Sequence, residues 1–210
     1  LISTPNLSTE SVADFTLMSI LLGIKNFFSA INMVRKSDFR RNLLMGKNIS
    51  EINIGIIGHG KIGKLVSRRL KNLGANLMVL DPKEKNKVTF KKVLKFSDVI
   101  TFHLPLTKET KNLIGIQEMK KMKEGVILIN TSRAKIFKKN FYKTSKKYLL
   151  ITDVISPEPS YNSRINKNYK HEWLKQDNII FTPHMASMTN RTQESISKEL
   201  AKKINQYYRI

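Results

Sequence analysis

The sequence contains no cysteine among its 210 residues. Without a thiol the chain has no disulfide scaffold, no Cys-ligated zinc site and no cysteine nucleophile. This absence fits a reducing compartment, so we expect a cytoplasmic protein. The apolar stretch from Phe15 to Ile24 is too short to span a bilayer, and Glu10 and Asp14 precede it instead of the basic residues of a targeting segment. We therefore expect no membrane partner.

Acidic residues are also few, because 16 Asp and Glu stand against 38 Lys and Arg, for a formal net charge of +22. Such an excess is compatible with binding to nucleic acids. The lysines, however, are scattered along the chain and do not form one tract with interleaved aromatic residues. Compositional drift toward Lys, Asn and Ile is the simpler interpretation. We expect no specific nucleic-acid partner, although the charge favours non-specific, salt-sensitive binding of anions.

Strand-length apolar runs alternate with helical spacing from residue 52 onward. Six runs predict strands over 52–57, 76–80, 98–102, 125–130, 149–153 and 178–181. Helical spacing predicts helices over 61–73, 90–96 and 107–122, the last broken near Gly115, and a weak helix over 138–147. Strands with little polar alternation are typical of a parallel sheet that is covered on both faces. The pattern therefore predicts an α/β fold of the Rossmann type, with a doubly wound parallel sheet.

The same pattern divides the chain into three parts. An N-terminal segment, 1–34, is densely apolar and predicts one long helix over 9–34. Residues 35–188 form the predicted dinucleotide-binding Rossmann domain. Residues 189–210 form a C-terminal helix with an apolar stripe along one side.

A hexapeptide with the pattern G-x-G-x-x-G begins at Gly58, directly after the first predicted strand and at the start of a helix. This is the context that a dinucleotide-binding turn requires. Gly58 permits the tight turn, Gly60 lets a pyrophosphate approach the backbone, and Gly63 lets the helix pack close to the strand. The free N–H groups at the start of the helix, which includes Lys61 and Ile62, favour an anion.

Asp81 ends the second predicted strand, 18 residues after Gly63. An acid at this position can accept both hydroxyls of an adenosine ribose and repels a 2′-phosphate, so Asp81 favours NAD over NADP. Lys83 and Lys85 would act in the opposite direction. The structural alternative is that Asp81 only starts a turn before Pro82.

Six groups of short motifs lie in order along the chain. They are 4–6 with 11–14, 53–58, 97–100 with 103–107, 122–125 with 129–133, 153–154 with 157–159, and 178–180 with 182–184. In this order they resemble the D-isomer-specific 2-hydroxyacid dehydrogenase family. The resemblance implies an NAD-dependent oxidoreductase that transfers a hydride between the nicotinamide cofactor and a D-2-hydroxy acid or 2-oxo acid. It also implies that most of the companion substrate domain is absent from this chain and that two copies pair as a homodimer.

The resemblance assigns a catalytic set to Arg133, Glu158 and His184. A guanidinium can bind the carboxylate of a 2-hydroxy acid and polarise the neighbouring carbonyl. An imidazole can exchange the hydroxyl proton near neutral pH, and a carboxylate beside it fixes its tautomer. Taken singly, each residue is better explained as a surface charge, a turn or a cap. Their family order favours the catalytic interpretation.

The same resemblance places four further residues at the cofactor. His103 and Pro105 lie in the loop after the third strand, Thr131 lies beside the nicotinamide ribose, and Asp153 holds the nicotinamide amide. We expect His59 to lie on the surface. Because no two histidines have the short spacing of metal ligands, the sequence predicts no metal site.

The chain departs from the family's pattern between the catalytic positions. Ala134 stands where the family usually has glycine, and the segment 135–147 is short and lacks the expected acidic residues. Only 20 residues separate Arg133 from Asp153, about one helical turn fewer than the resemblance implies. These departures leave a second hypothesis open: an NAD-binding module without turnover, similar to corepressor members of the family or to a decayed homologue.

Overall fold

The computed structural model describes residues 4, 6–84, 88–159 and 169–208. Within these ranges six strands form one parallel sheet: β1 (Asn53–Ile57), β2 (Asn76–Leu80), β3 (Val99–Phe102), β4 (Val126–Asn130), β5 (Tyr148–Thr152) and β6 (Ile179–Phe181). Their order across the sheet is β2-β1-β3-β4-β5-β6. The predicted doubly wound parallel sheet is therefore confirmed. Pro5 of the first motif and Lys85 lie outside the described residues.

Helices cover both faces of this sheet. They are α1 (Thr9–Ile24), α2 (Phe27–Val34), α3 (Lys61–Asn72), α4 (Phe90–Phe96), α5 (Ile116–Lys121) and α6 (Asn190–Tyr208). One core joins the sheet to α1 and α3 through residues such as Ile20, Ile54 and Val66. The other joins it to α4 and α5 through residues such as Val93 and Met119. The residues of α1 pack in the first core together with β1 and α3. The predicted division of the chain at residue 34 stays a prediction.

The prediction of a single helix over 9–34 is wrong, because the helix is interrupted at Asn26. α1 and α2 meet there at an angle of 60°. Asn26 has a positive φ of 53°, and its Nδ2 donates to the carbonyl of Met45 at 3.0 Å. The carbonyl of Ile24 accepts the N–H of Lys47 at 2.9 Å. A segment from later in the chain thus occupies the Ile24 carbonyl, which would accept a helical hydrogen bond if α1 continued, and also anchors the Asn26 side chain.

Among the described residues, no single helix is both long enough and apolar enough to cross a membrane. Together α1 and α2 would meet that test by length and composition. Eight of the 16 residues of α1 are nevertheless buried, and its apolar side chains pack in the core beneath the sheet.

Aromatic packing replaces the weak helix that the sequence predicted over 138–147. That prediction is wrong, since the segment contains only a short 3-10 turn, Phe141–Lys143. The ring of Phe141 is fully buried and lies edge-on to Trp173, with ring centroids 5.0 Å apart, and Phe137 packs against both rings. Large rings therefore fill the space beside the sheet. In the region 107–122, where the sequence predicts one or two helices broken near Gly115, the structure has one short helix, α5, which begins directly after Gly115.

The packing of β1 against α4 is tight at Gly55. A Cβ on Gly55 would lie 2.5 Å from Ser97 Oγ and 2.6 Å from Val93 Cγ1. We expect Gly55→Ala to lower the free energy of unfolding by about 1–3 kcal/mol, because an extra methyl group overpacks this contact. Urea denaturation followed by circular dichroism measures the change.

Ser97→Ala serves as the control, because the buried Ser97 Oγ has no hydrogen-bond partner within the described part of the chain. Removing it should leave the free energy of unfolding unchanged or slightly higher. A Gly55→Ala protein as stable as the wild type would contradict the close approach of β1 and α4.

Candidate functional site

The candidate site lies at the carboxyl ends of β1 and β3, where the strand order reverses. The chain leaves β1 toward β2 and then returns to the other side of β1 to form β3. Ligands of open α/β sheets bind in the crevice at such a point. The N–H of Gly58 donates to Leu80 and the N–H of His103 donates to Ile57, at 2.9 and 2.8 Å. These bonds bring the glycine turn together with the loop after β3.

The three glycines of the turn have different roles in the structure. Gly58 has a positive φ of 95°, which favours glycine. A Cβ on Gly63 would collide with the carbonyl oxygen of Gly58, whereas a Cβ on Gly60 would meet no atom of the described residues within 4 Å, apart from its neighbours in the chain. The packing of the protein itself therefore requires Gly58 and Gly63. Gly60 instead keeps open a space that a side chain would fill.

An open pocket of about 310 Å³ lies over the turn. It is lined by Asn6, Ser8, Thr9, Gly60, Lys61, Ile62, Gly63 and His103. The helical hydrogen bonds of α3 begin with the N–H of Lys64, which donates to Gly60 at 2.9 Å. The N–H groups of Lys61, Ile62 and Gly63 precede that bond and have no partner within the helix. Together with the helix dipole they fit the pyrophosphate of a dinucleotide.

Asp81 follows β2 and fastens the glycine turn. Its Oδ2 accepts the N–H of His59 at 2.7 Å, and its Oδ1 accepts the N–H of Lys83 at 2.9 Å. The backbone hydrogen bonds from His59 and Lys83 lower the pKa of Asp81, so the group is ionised at neutral pH. Asp81 thus starts the turn at Pro82, as the structural alternative has it, and its carboxylate also contacts the glycine turn through the N–H of His59. Its contact with a ribose stays a prediction.

The loop after β3 carries His103 and Pro105. Burial, together with the charge of nearby His59, lowers the pKa of His103 to about 4. The imidazole is therefore neutral at physiological pH, with its Nε2 3.1 Å from Thr101 Oγ1. Pro105 is exposed, and its carbonyl accepts a hydrogen bond from Thr110 at 2.6 Å. Both residues lie beside the glycine turn, and their contact with a cofactor stays a prediction.

His184 and Glu158 are brought together at the same edge of the sheet. His184 Nδ1 lies 3.2 Å from Glu158 Oε1, with the two side chains 42% and 41% exposed. His184 has a positive φ of 54°, a backbone conformation that is uncommon for residues other than glycine. The pair thus presents an oriented imidazole to solvent.

Asp153 holds the loop that carries His184. It is 1% exposed, and its Oδ1 accepts bonds from Thr182 Oγ1 at 2.6 Å and from the N–H of Met185 at 2.8 Å. Its Oδ2 accepts the N–H of Ala186 at 2.8 Å. The sequence placed Asp153 at the nicotinamide amide, a contact that stays a prediction. The structure adds a positioning role that the sequence did not reveal, since the partners are about 30 residues away.

Arg133 lies at the end of β4, two strands from the loop of His184. Its side chain is exposed and Nη1 donates to the carbonyl of Ser132 at 2.7 Å. Because adjacent strands are about 4.8 Å apart, the ends of β4 and β6 are separated by roughly 10 Å, within the reach of an arginine and a small ligand. Thr131 lies beside it, 3.1 Å from Thr16 of α1 between the two Oγ1 atoms.

No group of three or more His, Asp or Glu side chains that could hold a metal ion occurs in the described ranges. His59, expected on the surface, is instead largely covered, with 16% of its side chain exposed. Its Nδ1 lies 2.5 Å from Glu84 Oε1 and its Nε2 lies 3.1 Å from Ser67 Oγ. Neither partner was predicted from the sequence. The available signal was a second acid, Glu84, three residues after Asp81 in a lysine-rich segment.

Comparison with known proteins agrees with this geometry. The family "D-isomer specific 2-hydroxyacid dehydrogenase, NAD binding domain" matches residues 17–186. A D-specific alpha-keto acid dehydrogenase of Enterococcus faecium is 31% identical over 207 residues, which cover 92% of this chain and 64% of that protein. A glyoxylate reductase of Thermococcus litoralis is 30% identical over 222 residues, which cover 96% of this chain and 65% of that protein.

A solved structure shares the fold. D-lactate dehydrogenase from Aquifex aeolicus, complexed with NAD and lactic acid, superposes with a TM-score of 0.85 at 28% identity, over 98% of this chain and 68% of that one. The chain thus spans slightly less than two thirds of the two curated relatives named above. Since the family match extends from α1 to the loop after β6, the chain belongs to the D-isomer specific 2-hydroxyacid dehydrogenase family and contains its NAD binding domain.

Proposed function

We propose that this chain binds NAD and takes part in the interconversion of a D-2-hydroxy acid and its 2-oxo acid. The observation that carries the proposal is the open space above Gly60, which lies on the same edge of the sheet as the His184–Glu158 pair. Relatives named as an alpha-keto acid dehydrogenase and a glyoxylate reductase support a small 2-oxo acid as substrate. About a third of each of these two relatives lies outside the part that this chain matches.

The glycine turn and Asp81 account for the cofactor. The pyrophosphate fits the N–H groups of Lys61, Ile62 and Gly63 at the start of α3. Asp81 keeps acceptor capacity on each carboxylate oxygen beyond its two backbone bonds, which suits the ribose hydroxyls of NAD. When bound, the nicotinamide supplies the hydride in reduction and accepts it in oxidation.

His184 is the residue that we assign to proton transfer. Glu158 accepts the Nδ1–H of the imidazole, and we assign to His184 the donation of a proton to the carbonyl oxygen of the 2-oxo acid and its removal from the hydroxyl in the reverse direction. Asp153 fixes the loop of His184 through three hydrogen bonds. From the end of β4, the guanidinium of Arg133 can bind the substrate carboxylate in a fork.

A cytoplasmic homodimer is the proposed form of the protein. The lack of cysteine supports the compartment. Exposed apolar side chains on α1 and α2, namely Met18, Phe27 and Val34, support an interface between two copies.

Gly60→Ala tests the cofactor site. A methyl group at Gly60 meets no atom of the described residues within 4 Å, apart from its neighbours in the chain, but enters the space assigned to the pyrophosphate. We expect NADH binding, followed by fluorescence titration, to weaken at least about tenfold, as the loss of a charge-assisted hydrogen bond would. Stability should fall by only about 1 kcal/mol or less, because Gly60 is the N-cap of α3. Undiminished NADH binding by this variant would place the pyrophosphate elsewhere.

His184→Gln tests the chemistry. We expect kcat for the reduction of pyruvate or glyoxylate by NADH to fall about 10²–10⁴-fold, since a positioned acid is lost. NADH affinity should stay near the wild-type value. Glu158→Gln should lower kcat less, and Glu124→Gln, at the opposite end of the sheet, should not change it. Wild-type chain that binds NADH but reduces no 2-oxo acid would favour an NAD-binding module without turnover.

A further inference from the structure

We propose that His59 and Glu84 act with Asp81 to set the preference of this chain for NADH over NADPH. The inference rests on the proposed function, because it concerns the same cofactor site. It adds a second carboxylate, and the imidazole that orients it, to the single acid that follows β2.

Residue 59 is held by the loop after β2 at two points. Its N–H donates to Asp81 Oδ2 at 2.7 Å, and its imidazole Nδ1 lies 2.5 Å from Glu84 Oε1. On the other side of the ring, Nε2 lies 3.1 Å from Ser67 Oγ of α3. The ring therefore bridges α3 and the loop, and it fixes the direction of the Glu84 carboxylate.

Two carboxylates, those of Asp81 and Glu84, therefore contact the same residue of the dinucleotide turn. Asp81 and Glu84 are also joined by a backbone bond, in which the N–H of Glu84 donates to the carbonyl of Asp81 at 3.1 Å. A 2′-phosphate on the adenosine ribose adds about two negative charges beside Asp81. Like charges repel, so the two carboxylates weaken the binding of NADPH more than that of NADH, which lacks this phosphate.

The other charged groups near Asp81 determine how much the negative charge of Glu84 affects the binding of a 2′-phosphate. Lys83 lies in the same loop with an exposed side chain and attracts a phosphate. The neighbouring His103 is neutral because of its burial. Lys83 offsets the charge of Asp81, and the Glu84 carboxylate lowers the local charge by one unit whether its partner His59 is neutral or protonated.

His59 is needed because Glu84 is partly exposed, at 35% of its side chain. A carboxylate released from the imidazole can turn into solvent, where salt and water screen its charge. The effect of Glu84 on the cofactor should therefore depend on His59.

The test measures dissociation constants for NADH and NADPH by fluorescence titration. In Glu84→Gln we expect the ratio of the NADPH constant to the NADH constant to fall about three- to tenfold, with the NADH constant nearly unchanged, from a Coulomb interaction in a largely aqueous setting. His59→Ala should lower this ratio by a similar factor, and the double variant His59→Ala/Glu84→Gln should have nearly the same ratio as His59→Ala alone. His59→Asn, with an amide nitrogen close to the position of Nδ1, should restore most of the ratio.

Glu124→Gln is the matched control, since it removes the same charge at the amino end of β4 and should leave the ratio unchanged. If the His59–Glu84 pair had a purely structural role, its loss would weaken the binding of both cofactors equally. An unchanged ratio in Glu84→Gln would overturn the inference, whereas NADH binding by the wild-type chain would still support the proposed function. A wild-type chain that binds neither cofactor would overturn both.

Discussion

The close approach of α3 to the end of β1 is the constraint on which the site depends. It is possible only because Gly63 has no side chain to meet the carbonyl of Gly58. The approach points the first N–H groups of α3 at the edge of the sheet and leaves Gly60 facing open space. It also brings His59 within hydrogen-bonding distance of Asp81 and Glu84, so one steric contact organises the whole cofactor half of the site.

The catalytic half uses a similar device on another pair of strands. Asp81 after β2 accepts a backbone N–H from the glycine turn, and Asp153 after β5 accepts two from the loop of His184. In each case a carboxylate at a strand end fixes the loop that bears the functional groups. Hydrogen bonds to an ionised acceptor are about twice as strong as neutral ones, which suits them to hold irregular backbone in place.

The sequence predicted the six strands well, because buried parallel strands are continuous apolar runs bounded by turns. The glycine turn could also be identified, since its chemistry is local. The break at Asn26 could not be predicted, because it depends on a hydrogen bond to Met45. The same holds for Glu84 beside His59 and for the loop held by Asp153, whose partners are distant in the sequence. Contacts of this kind leave no periodic signal.

The ring cluster around Phe141 bears on how the chain can change in length. Beside β4 and β5, three large rings occupy the volume that a helix would otherwise fill. Close packing responds to the volume that is filled rather than to the secondary structure that fills it. A deletion between Arg133 and Asp153 can therefore be accommodated by enlarging side chains, while β4 and β5 keep their register and their ends stay side by side. Bulky aromatic residues here let the connection between β4 and β5 be short while the two strand ends stay in place.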